Sequence, residues 1–233
     1  TDDLEHVVRT LPKMGFVGVN VTVPYKEKVM EFADLVTDRA ALIGSANTLI
    51  FRKDGKIHAD NTDSYGFIQN LRQKAPEWDP KAGPAAILGA GGAARAVIAA
   101  LVEVGVPEIL ISNRTKARAE NLRADFGNRL RVVDWVQAGN MLEDAATVIN
   151  TTSLGMVGKP PLRVPLDGLQ KGALVTDLVY APLVTHLLNE ANKAGCVTVD
   201  GLGMLLHQAV PAFERWFGVR PQVTDETRAA VLR

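Results

Sequence analysis

The chain has 233 residues, 47% of them hydrophobic and 22% charged, and its 26 basic and 26 acidic side chains cancel to zero net charge. This composition is typical of a globular protein of one large or two small domains, and it argues against nucleic-acid or membrane partners. No apolar run is long enough to span a membrane. The single cysteine, Cys196, excludes an internal disulfide and indicates a cytoplasmic location. The four histidines do not cluster at metal-binding spacing, so we expect no metal.

The first part of the chain predicts short helices and strands. Residues 4–9 predict a helix, and the β-rich residues 16–23 predict a strand that Pro24 ends. Apolar residues at helical spacing predict an amphipathic helix over residues 25–35. Lys26 would then lie in its first turn, where the helix dipole disfavours a cation. A solvent-facing lysine is the ordinary interpretation, but the unfavourable position makes Lys26 a candidate functional residue.

A hairpin and a polar cluster follow. Asp54-Gly55, between the β-rich segments 46–51 and 56–60, is a strong signal for a hairpin turn. The second strand leads into the polar residues 61–64 and then into a helix over residues 65–74. Asp63 or Ser64 could simply cap that helix.

The segment Ala85-Ala86-Ile87-Leu88-Gly89-Ala90-Gly91-Gly92-Ala93-Ala94 predicts a strand, a glycine turn and a helix. Gly89, Gly91 and Ala94 occupy the G-x-G-x-x-G/A positions of a dinucleotide-binding unit. The first allows the sharp turn, the second lets backbone approach a pyrophosphate, and the third allows close helix packing. A helix ending at Gly105 and a second strand over residues 108–112 complete the unit.

The end of the second strand indicates which dinucleotide binds. An NAD site usually carries a carboxylate about 20 residues past the glycines. Here the sequence is Asn113-Arg114-Thr115-Lys116-Ala117-Arg118. A guanidinium and a hydroxyl suit the 2′-phosphate of NADP, so we predict NADP. The alternative is an ordinary helix cap beside solvated basic residues.

The rest of the chain alternates strands and helices. Strands are predicted over residues 130–133, 146–150, 173–180 and 196–199, with helices through 126, over 183–193, from 201 to 217 and from 224. This alternation predicts an α/β protein with a doubly wound parallel sheet. The polar residues Asn113, Asn150 and Tyr180 then lie at the carboxyl ends of strands, where such sheets bind ligands.

Taken together, the motifs resemble those of the shikimate dehydrogenase family. They run in family order across nearly the whole chain: Gly18-Val19-Asn20-Val21-Thr22-Val23-Pro24-Tyr25-Lys26, Ala46-Asn47-Thr48, Asn61-Thr62-Asp63, the glycine turn, Asn113-Arg114-Thr115, Asp177-Leu178-Val179-Tyr180 and Gly201-Leu202-Gly203-Met204. The resemblance implies reversible reduction of 3-dehydroshikimate by NADPH, in aromatic amino-acid biosynthesis.

The resemblance also implies the roles of individual residues. It assigns catalysis to Lys26 and Asp63. The positions that match substrate contacts are Thr22, Asn47, Asp63, Tyr180 and Gln208. The positions that match cofactor contacts are Asp38, Gly89, Ala90, Gly91, Gly92, Ala93, Asn113, Arg114, Thr115, Lys116, Ala117, Arg118, Leu178 and Gly201. Small molecules are the only expected partners, and the protein is expected to be a monomer or a homodimer.

The same resemblance predicts two domains. A Rossmann-type NADP-binding domain would span residues 63–200, and a smaller α/β substrate domain would combine residues 1–62 with the helices of 201–233. Ser64 stands where the family often has glycine. The family's Ser-x-Ser element, about 40 residues before the point where this chain begins, has no match here, so we expect an N-terminal truncation. The alternatives are a quinate/shikimate dehydrogenase of relaxed specificity and a non-catalytic NADP-binding fragment.

Overall fold

The structure, a computed structural model, describes residues 3–22 and 24–232. Val23, which belongs to the predicted strand over 16–23, lies outside the described residues, as do Thr1, Asp2 and Arg233. The chain divides into two compact units: unit 1 is Thr1–Gly66 with Leu206–Arg233, and unit 2 is Phe67–Leu205. The functions assigned to the predicted domains remain predictions.

The N-terminal part of unit 1 is a small sheet with short helices around it. In chain order its elements are α1 (Leu4–Thr10), a 3₁₀ helix (Leu11–Met14), β1 (Gly18–Asn20), a 3₁₀ helix (Lys28–Phe32), β2 (Leu35–Val36), α2 (Asp38–Ile43), β3 (Thr48–Phe51) and β4 (Ile57–Asp60). The sheet order is β1-β3-β4-β2. Strands β3 and β4 are antiparallel around Gly55, whose φ of 83° suits the tight turn, so the predicted hairpin is confirmed.

The predicted helix over residues 25–35 is wrong. Only Lys28–Phe32 is helical, as a 3₁₀ turn, and Lys26 lies in the turn before it. Ala33 has extended backbone angles. The Asp34 amide donates to the Ile57 carbonyl at 2.9 Å, and the Ile57 amide donates to Asp34 Oδ2 at 2.8 Å. Pairing with β4 therefore outweighs the local helical pattern. The predicted strand over 16–23 is likewise reduced to Gly18–Asn20.

Helix α3 (Asp63–Lys74) begins in unit 1 and leads the chain into unit 2. Unit 2 then contains β5 (Ala85–Leu88), α4 (Gly92–Val104), β6 (Ile109–Ser112), α5 (Lys116–Phe126), β7 (Leu130–Val133), β8 (Thr147–Asn150), β9 (Leu174–Asp177), α6 (His186–Lys193) and β10 (Val197–Val199). All six strands are parallel, in the order β10-β9-β8-β5-β6-β7. This is the doubly wound order of a dinucleotide-binding sheet, which confirms the predicted fold class.

Strands β5, β6, β8 and β9 are buried along their full length, as expected for the centre of a parallel sheet with helices on both faces. Strand β9 ends at Asp177 rather than at residue 180, and α6 begins at His186 rather than 183. The side chain of Thr185 caps α6 by accepting from the Leu188 amide. A loop over residues 178–185 therefore replaces the ends predicted for both elements.

The chain returns to unit 1 through α7 (Leu202–Phe217) and ends with α8 (Asp225–Val231). The indole nitrogen of Trp216 donates to the Leu49 carbonyl at 3.0 Å. A Cβ added at Gly18 would lie 1.9 Å from that nitrogen, so glycine is needed for α7 to pack on β1 and β3. Within residues 3–22 and 24–232, no helix has the length and hydropathy to cross a membrane.

Candidate active site

The two predicted catalytic residues lie side by side in unit 1. The Lys26 ammonium donates to Asp63 Oδ2 at 2.7 Å, and the exposed fractions of the two side chains are 27% and 12%. Asp63 is the first residue of α3, and its amide donates to Asn61 Oδ1 at 3.0 Å. The backbone of Lys26 is tied to the hairpin, since its carbonyl accepts from the Ala46 amide at 2.8 Å. The pair is therefore held from both sides while Lys26 stays in reach of solvent.

Asn47 connects this pair to two further polar residues. Its amide nitrogen lies 2.8 Å from Asp63 Oδ1, 3.0 Å from Thr62 Oγ1 and 3.0 Å from Gln208 Oε1. Its side-chain oxygen Oδ1 accepts from the Thr62 amide at 2.9 Å and from the Thr48 hydroxyl at 2.9 Å. Gln208 comes from α7, so residues far apart in sequence meet at one polar cluster.

Thr22 lies beside the same cluster. The amide of Val21, one residue before it, donates to the Asn47 carbonyl at 2.8 Å, and the carbonyl of Thr22 accepts from the Tyr25 amide at 2.9 Å. Thr22 is exposed. Unit 1 thus brings together four of the five residues predicted to contact substrate. The fifth, Tyr180, is exposed in unit 2 beyond the carboxyl end of β9.

A buried carboxylate that the sequence analysis missed supports this cluster. Asp60, at the end of β4, has no exposed surface, and Arg39 binds it through two hydrogen bonds of 3.0 and 2.7 Å. Arg215 of α7 lies 3.3 Å from it, and the Thr37 hydroxyl donates to it at 2.8 Å. Burial alone would raise the pKa of Asp60, but these hydrogen bonds and positive charges outweigh it, so the pKa is lowered. The Asp60 carboxylate therefore stays charged. It lies three positions before Asp63 in the sequence.

Asp38, predicted to lie on the cofactor side, is in unit 1. It is exposed in the first turn of α2, directly before Arg39. The remaining predicted cofactor residues belong to unit 2.

The glycine turn of unit 2 is open in front and packed behind. Gly89 has a φ of +107°, and a Cβ there would lie 2.7 Å from the side chains of Thr151 and Thr152. A Cβ added at Gly91 or Gly92 would meet no described atom within 4 Å. Helix α4 begins at Gly92 with no acidic residue in its first turn and no side-chain cap from Gly91. The space beside Gly91 and Gly92 is therefore open at the N-terminus of α4, and a helix N-terminus favours an anion such as the diphosphate of a dinucleotide.

The segment from Asn113 to Arg118 lies beside this turn. Asn113 Oδ1 accepts from the Ala90 amide at 3.2 Å, which ties the segment to the glycine turn, and residues 114–118 are exposed. Lys116 forms an ion pair with Asp134 at 2.7 Å, and that hydrogen bond and charge raise the pKa of the lysine. Arg114 and Arg118 form no ion pair within the part of the chain that the structure describes. Their guanidinium groups are the ones available to a phosphate.

The predicted backbone contacts Leu178 and Gly201 are adjacent to each other. A Cβ added at Gly201 would lie 2.4 Å from the Leu178 carbonyl oxygen. Glycine is therefore required by this close approach of two backbone segments. Among the described residues, no group of three or more histidine, cysteine or acidic side chains could hold a metal ion.

Family models match most of the chain in three successive parts. They are described as the shikimate dehydrogenase substrate binding domain (residues 1–49), shikimate/quinate 5-dehydrogenase (71–203) and the shikimate 5'-dehydrogenase C-terminal domain (201–232). A shikimate dehydrogenase (NADP(+)) of Cereibacter sphaeroides is 72% identical over 230 residues, which cover 99% of this chain and 82% of that protein. The chain belongs to the shikimate dehydrogenase family.

Solved structures of shikimate and quinate dehydrogenases have the same fold. Shikimate 5-dehydrogenase from Thermus thermophilus, in complex with NADP(H) and shikimate, is 36% identical with a TM-score of 0.84, over 95% of this chain and 80% of that one. Quinate dehydrogenase from Corynebacterium glutamicum, in complex with NAD, is 33% identical with a TM-score of 0.92, over 99% of this chain and 82% of that one. The predicted membership of the family and the predicted Rossmann-type fold are confirmed.

Proposed function

We propose that this chain is an NADP-dependent shikimate dehydrogenase that interconverts 3-dehydroshikimate and shikimate. The observation that carries the proposal is the Lys26–Asp63 pair, at 2.7 Å and partly open to solvent, in a chain of this family. An ammonium held by a carboxylate is the group expected beside a carbonyl that is being reduced to an alcohol.

The cofactor fits the residues of unit 2. When bound, NADPH supplies the hydride that reduces the ketone carbon. The open glycine turn from Gly89 to Ala93 and the first amides of α4 would hold its diphosphate. Arg114 and Thr115 would hold the 2′-phosphate, with Asn113, Lys116, Ala117 and Arg118 around them. The backbone of Leu178 and Gly201 would lie at the nicotinamide end, and Asp38 would complete the cofactor contacts.

The proposed chemistry places proton transfer on Lys26. As the ketone is reduced, negative charge develops on its oxygen, and the Lys26 ammonium stabilises this charge and donates a proton to it. In the direction of alcohol oxidation, neutral Lys26 takes the proton. Asp63 orients the lysine through its 2.7 Å contact, and its other oxygen is fixed by Asn47 at 2.8 Å.

Substrate recognition is proposed for the amide and hydroxyl groups around this pair. Asn47 and Gln208 each carry an amide that donates and accepts, which suits the hydroxyl groups of shikimate. Their mutual contact at 3.0 Å keeps both near Asp63. Thr22 adds an exposed hydroxyl, and Tyr180 is a further proposed substrate contact.

The experiment is a comparison of substrates and cofactors with the purified chain. Initial rates of nicotinamide reduction are measured with shikimate or quinate and with NADP⁺ or NAD⁺. We expect turnover with shikimate and NADP⁺, because Arg114 follows β6 where an NAD site would carry a carboxylate. Faster turnover with quinate or NAD⁺ would favour the alternative, a quinate/shikimate dehydrogenase of relaxed specificity.

Lys26→Ala is the control for that assay. It should lower turnover at least about 100-fold and leave NADP⁺ binding intact, since Lys26 is not among the proposed cofactor residues. No turnover by the unaltered chain, with NADP⁺ still bound, would instead indicate a cofactor-binding protein without dehydrogenase activity. A reducing cytoplasmic location is proposed from the single cysteine, and a monomer or homodimer remains a prediction that a sedimentation measurement would test.

A further inference from the structure

Asp177, at the carboxyl end of β9, is a buried carboxylate that the proposed chemistry does not use. It is 1% exposed, and it forms no ion pair within the described part of the chain. A buried charge without a cation is costly unless hydrogen bonds satisfy it. Burial raises the pKa of Asp177 to about 6, although three hydrogen bonds act in the opposite direction. Packing of the sheet alone does not explain why a carboxylate occupies this buried position.

Three donors surround the carboxylate, and they come from different elements. Oδ1 accepts from the Val179 amide at 3.0 Å and from the Asn150 side chain at 2.9 Å, whereas Oδ2 accepts from the Thr185 hydroxyl at 2.7 Å. Asn150 in turn accepts from the amide and hydroxyl of Thr152 at 3.0 and 2.7 Å. The loops that follow β8 and β9 therefore share one hydrogen-bond network.

The hydrogen bond to Val179 fixes the direction of a particular carbonyl. The Val179 N–H and the Leu178 C=O belong to the same planar peptide unit, and in a trans peptide they point in opposite directions. The peptide between Leu178 and Val179 is trans. By accepting from this N–H, Asp177 turns the Leu178 carbonyl away from its own carboxylate.

Two further contacts hold residue 178 in place. Its amide donates to the Asn150 carbonyl at 3.0 Å, and Gly201 packs against its carbonyl so closely that a Cβ would lie 2.4 Å from the oxygen. The site lies at the carboxyl ends of two neighbouring parallel strands, β8 and β9, where doubly wound sheets bind their dinucleotides.

We propose that Asp177 is a positioning residue that orients the Leu178 carbonyl toward the nicotinamide end of the cofactor. The inference rests on the proposed function, which assigns the Leu178 backbone to that end. A carbonyl oxygen is a suitable acceptor for the amide N–H groups of a carboxamide. Asp177 thus acts through the backbone and touches neither substrate nor cofactor.

The test compares two ligands that differ in the nicotinamide half. NADP⁺ contains it, whereas adenosine 2′,5′-bisphosphate carries only the adenosine with its 2′- and 5′-phosphates. Dissociation constants for both are measured by calorimetry, without turnover. In Asp177→Ala, loss of one oriented acceptor should weaken NADP⁺ binding about tenfold. Binding of the bisphosphate should stay unchanged, because the segment from Asn113 to Arg118 is untouched.

Two control variants separate positioning from general stability. Asp177→Asn keeps an oxygen at the Oδ1 position, so it should bind both ligands as the unaltered chain does. Thr185→Val removes only the hydrogen bond to Oδ2 and the cap of α6, so it should lower stability and leave NADP⁺ binding unchanged. If Asp177→Ala does not fold, Asp177→Glu keeps the charge and moves the carboxylate past the Val179 amide, with the same selective loss expected.

Equal weakening of both ligands in Asp177→Ala or Asp177→Glu would overturn the inference, since it would indicate a loss of structure throughout unit 2. An Asp177→Asn variant that loses NADP⁺ affinity as strongly as Asp177→Ala would overturn it too. If the unaltered chain binds neither ligand, the proposed function itself fails, and that result is distinguishable from either of the others.

Discussion

Replacing Lys26 by methionine separates catalysis from stability. The substitution keeps the length of the side chain and removes its ammonium, so Asp63 loses a partner at 2.7 Å but keeps the Asn47 donor at 2.8 Å. Both side chains of the pair have some access to water, at 27% and 12% exposure. An ion pair that is neither fully exposed nor fully buried contributes about 1 kcal/mol to folding. The free energy of unfolding should therefore fall by about that amount.

The effect on turnover should be far larger. A positioned proton donor typically contributes about 10²- to 10⁴-fold to the rate, or about 3 to 5 kcal/mol of transition-state stabilisation. We expect kcat for shikimate oxidation to fall by that factor in Lys26→Met. The KM for NADP⁺ should change little. The assay is the initial rate of nicotinamide reduction at saturating shikimate, with urea unfolding measured on the same preparations.

Asp63→Asn and the double variant complete a cycle. Because Asp63 acts by holding Lys26, its substitution should cost less alone than Lys26→Met, and it should cost almost nothing further once Lys26 is gone. Lys28→Met is the matched control, since it removes a comparable ion pair to Glu31, at 2.6 Å, from an exposed site two residues away. A Lys26→Met variant that loses less than about tenfold in kcat would refute the assigned role.

Three further predictions concern unit 2. Arg114→Ala should raise the KM for NADP⁺ about 10- to 100-fold through loss of a bidentate phosphate contact, while the KM for NAD⁺ stays constant; equal changes would argue against a 2′-phosphate site. Gly201→Ala should lower the free energy of unfolding by about 1 to 3 kcal/mol, measured in urea, because its Cβ would lie 2.4 Å from the Leu178 carbonyl oxygen. The folded-state pKa of Asp177, about 6, lies above its ordinary value of 3.8. The free energy of unfolding therefore falls as the pH rises from about 4 to about 6, because the unfolded chain ionises Asp177 first. Relative to Asp177→Asn, the unaltered chain should therefore lose about 3 kcal/mol of stability between pH 4 and 7, and a difference that does not vary with pH would contradict this.

The sequence predicts unit 2 well because its signals are local. The turn at Gly89, the helix end at Gly105 and the buried run of β5 each depend on residues next to one another, and the structure has all three in place. The pairing of Lys26 with Asp63 is different in kind. The two residues are 37 positions apart, so no local pattern links them. They were predicted as a pair only from the resemblance to the family.

Features that depend on tertiary contacts were predicted wrongly or missed. The apolar spacing of residues 25–35 is helical, yet Asp34 pairs with Ile57, and the chain becomes extended from Ala33. No sequence pattern links Arg39 and Arg215 to Asp60, since the three come from α2, α7 and β4. The carboxylate of Asp177 is a similar case, because its partner Thr185 lies beyond a loop that was predicted as strand and helix.

The packing of Trp216 over Gly18 also provides an optical probe. Of the three tryptophans in the chain, Trp216 belongs to unit 1, and Trp78 and Trp135 belong to unit 2. The Trp216 indole is fixed by its hydrogen bond to the Leu49 carbonyl, so the fluorescence emission of Trp216 should shift when the sheet of unit 1 separates from α7. With Trp78 and Trp135 replaced by phenylalanine, fluorescence would follow the melting of unit 1 alone. Circular dichroism of the same sample would follow the whole chain, and the two curves together would reveal whether the protein unfolds in one step or in two.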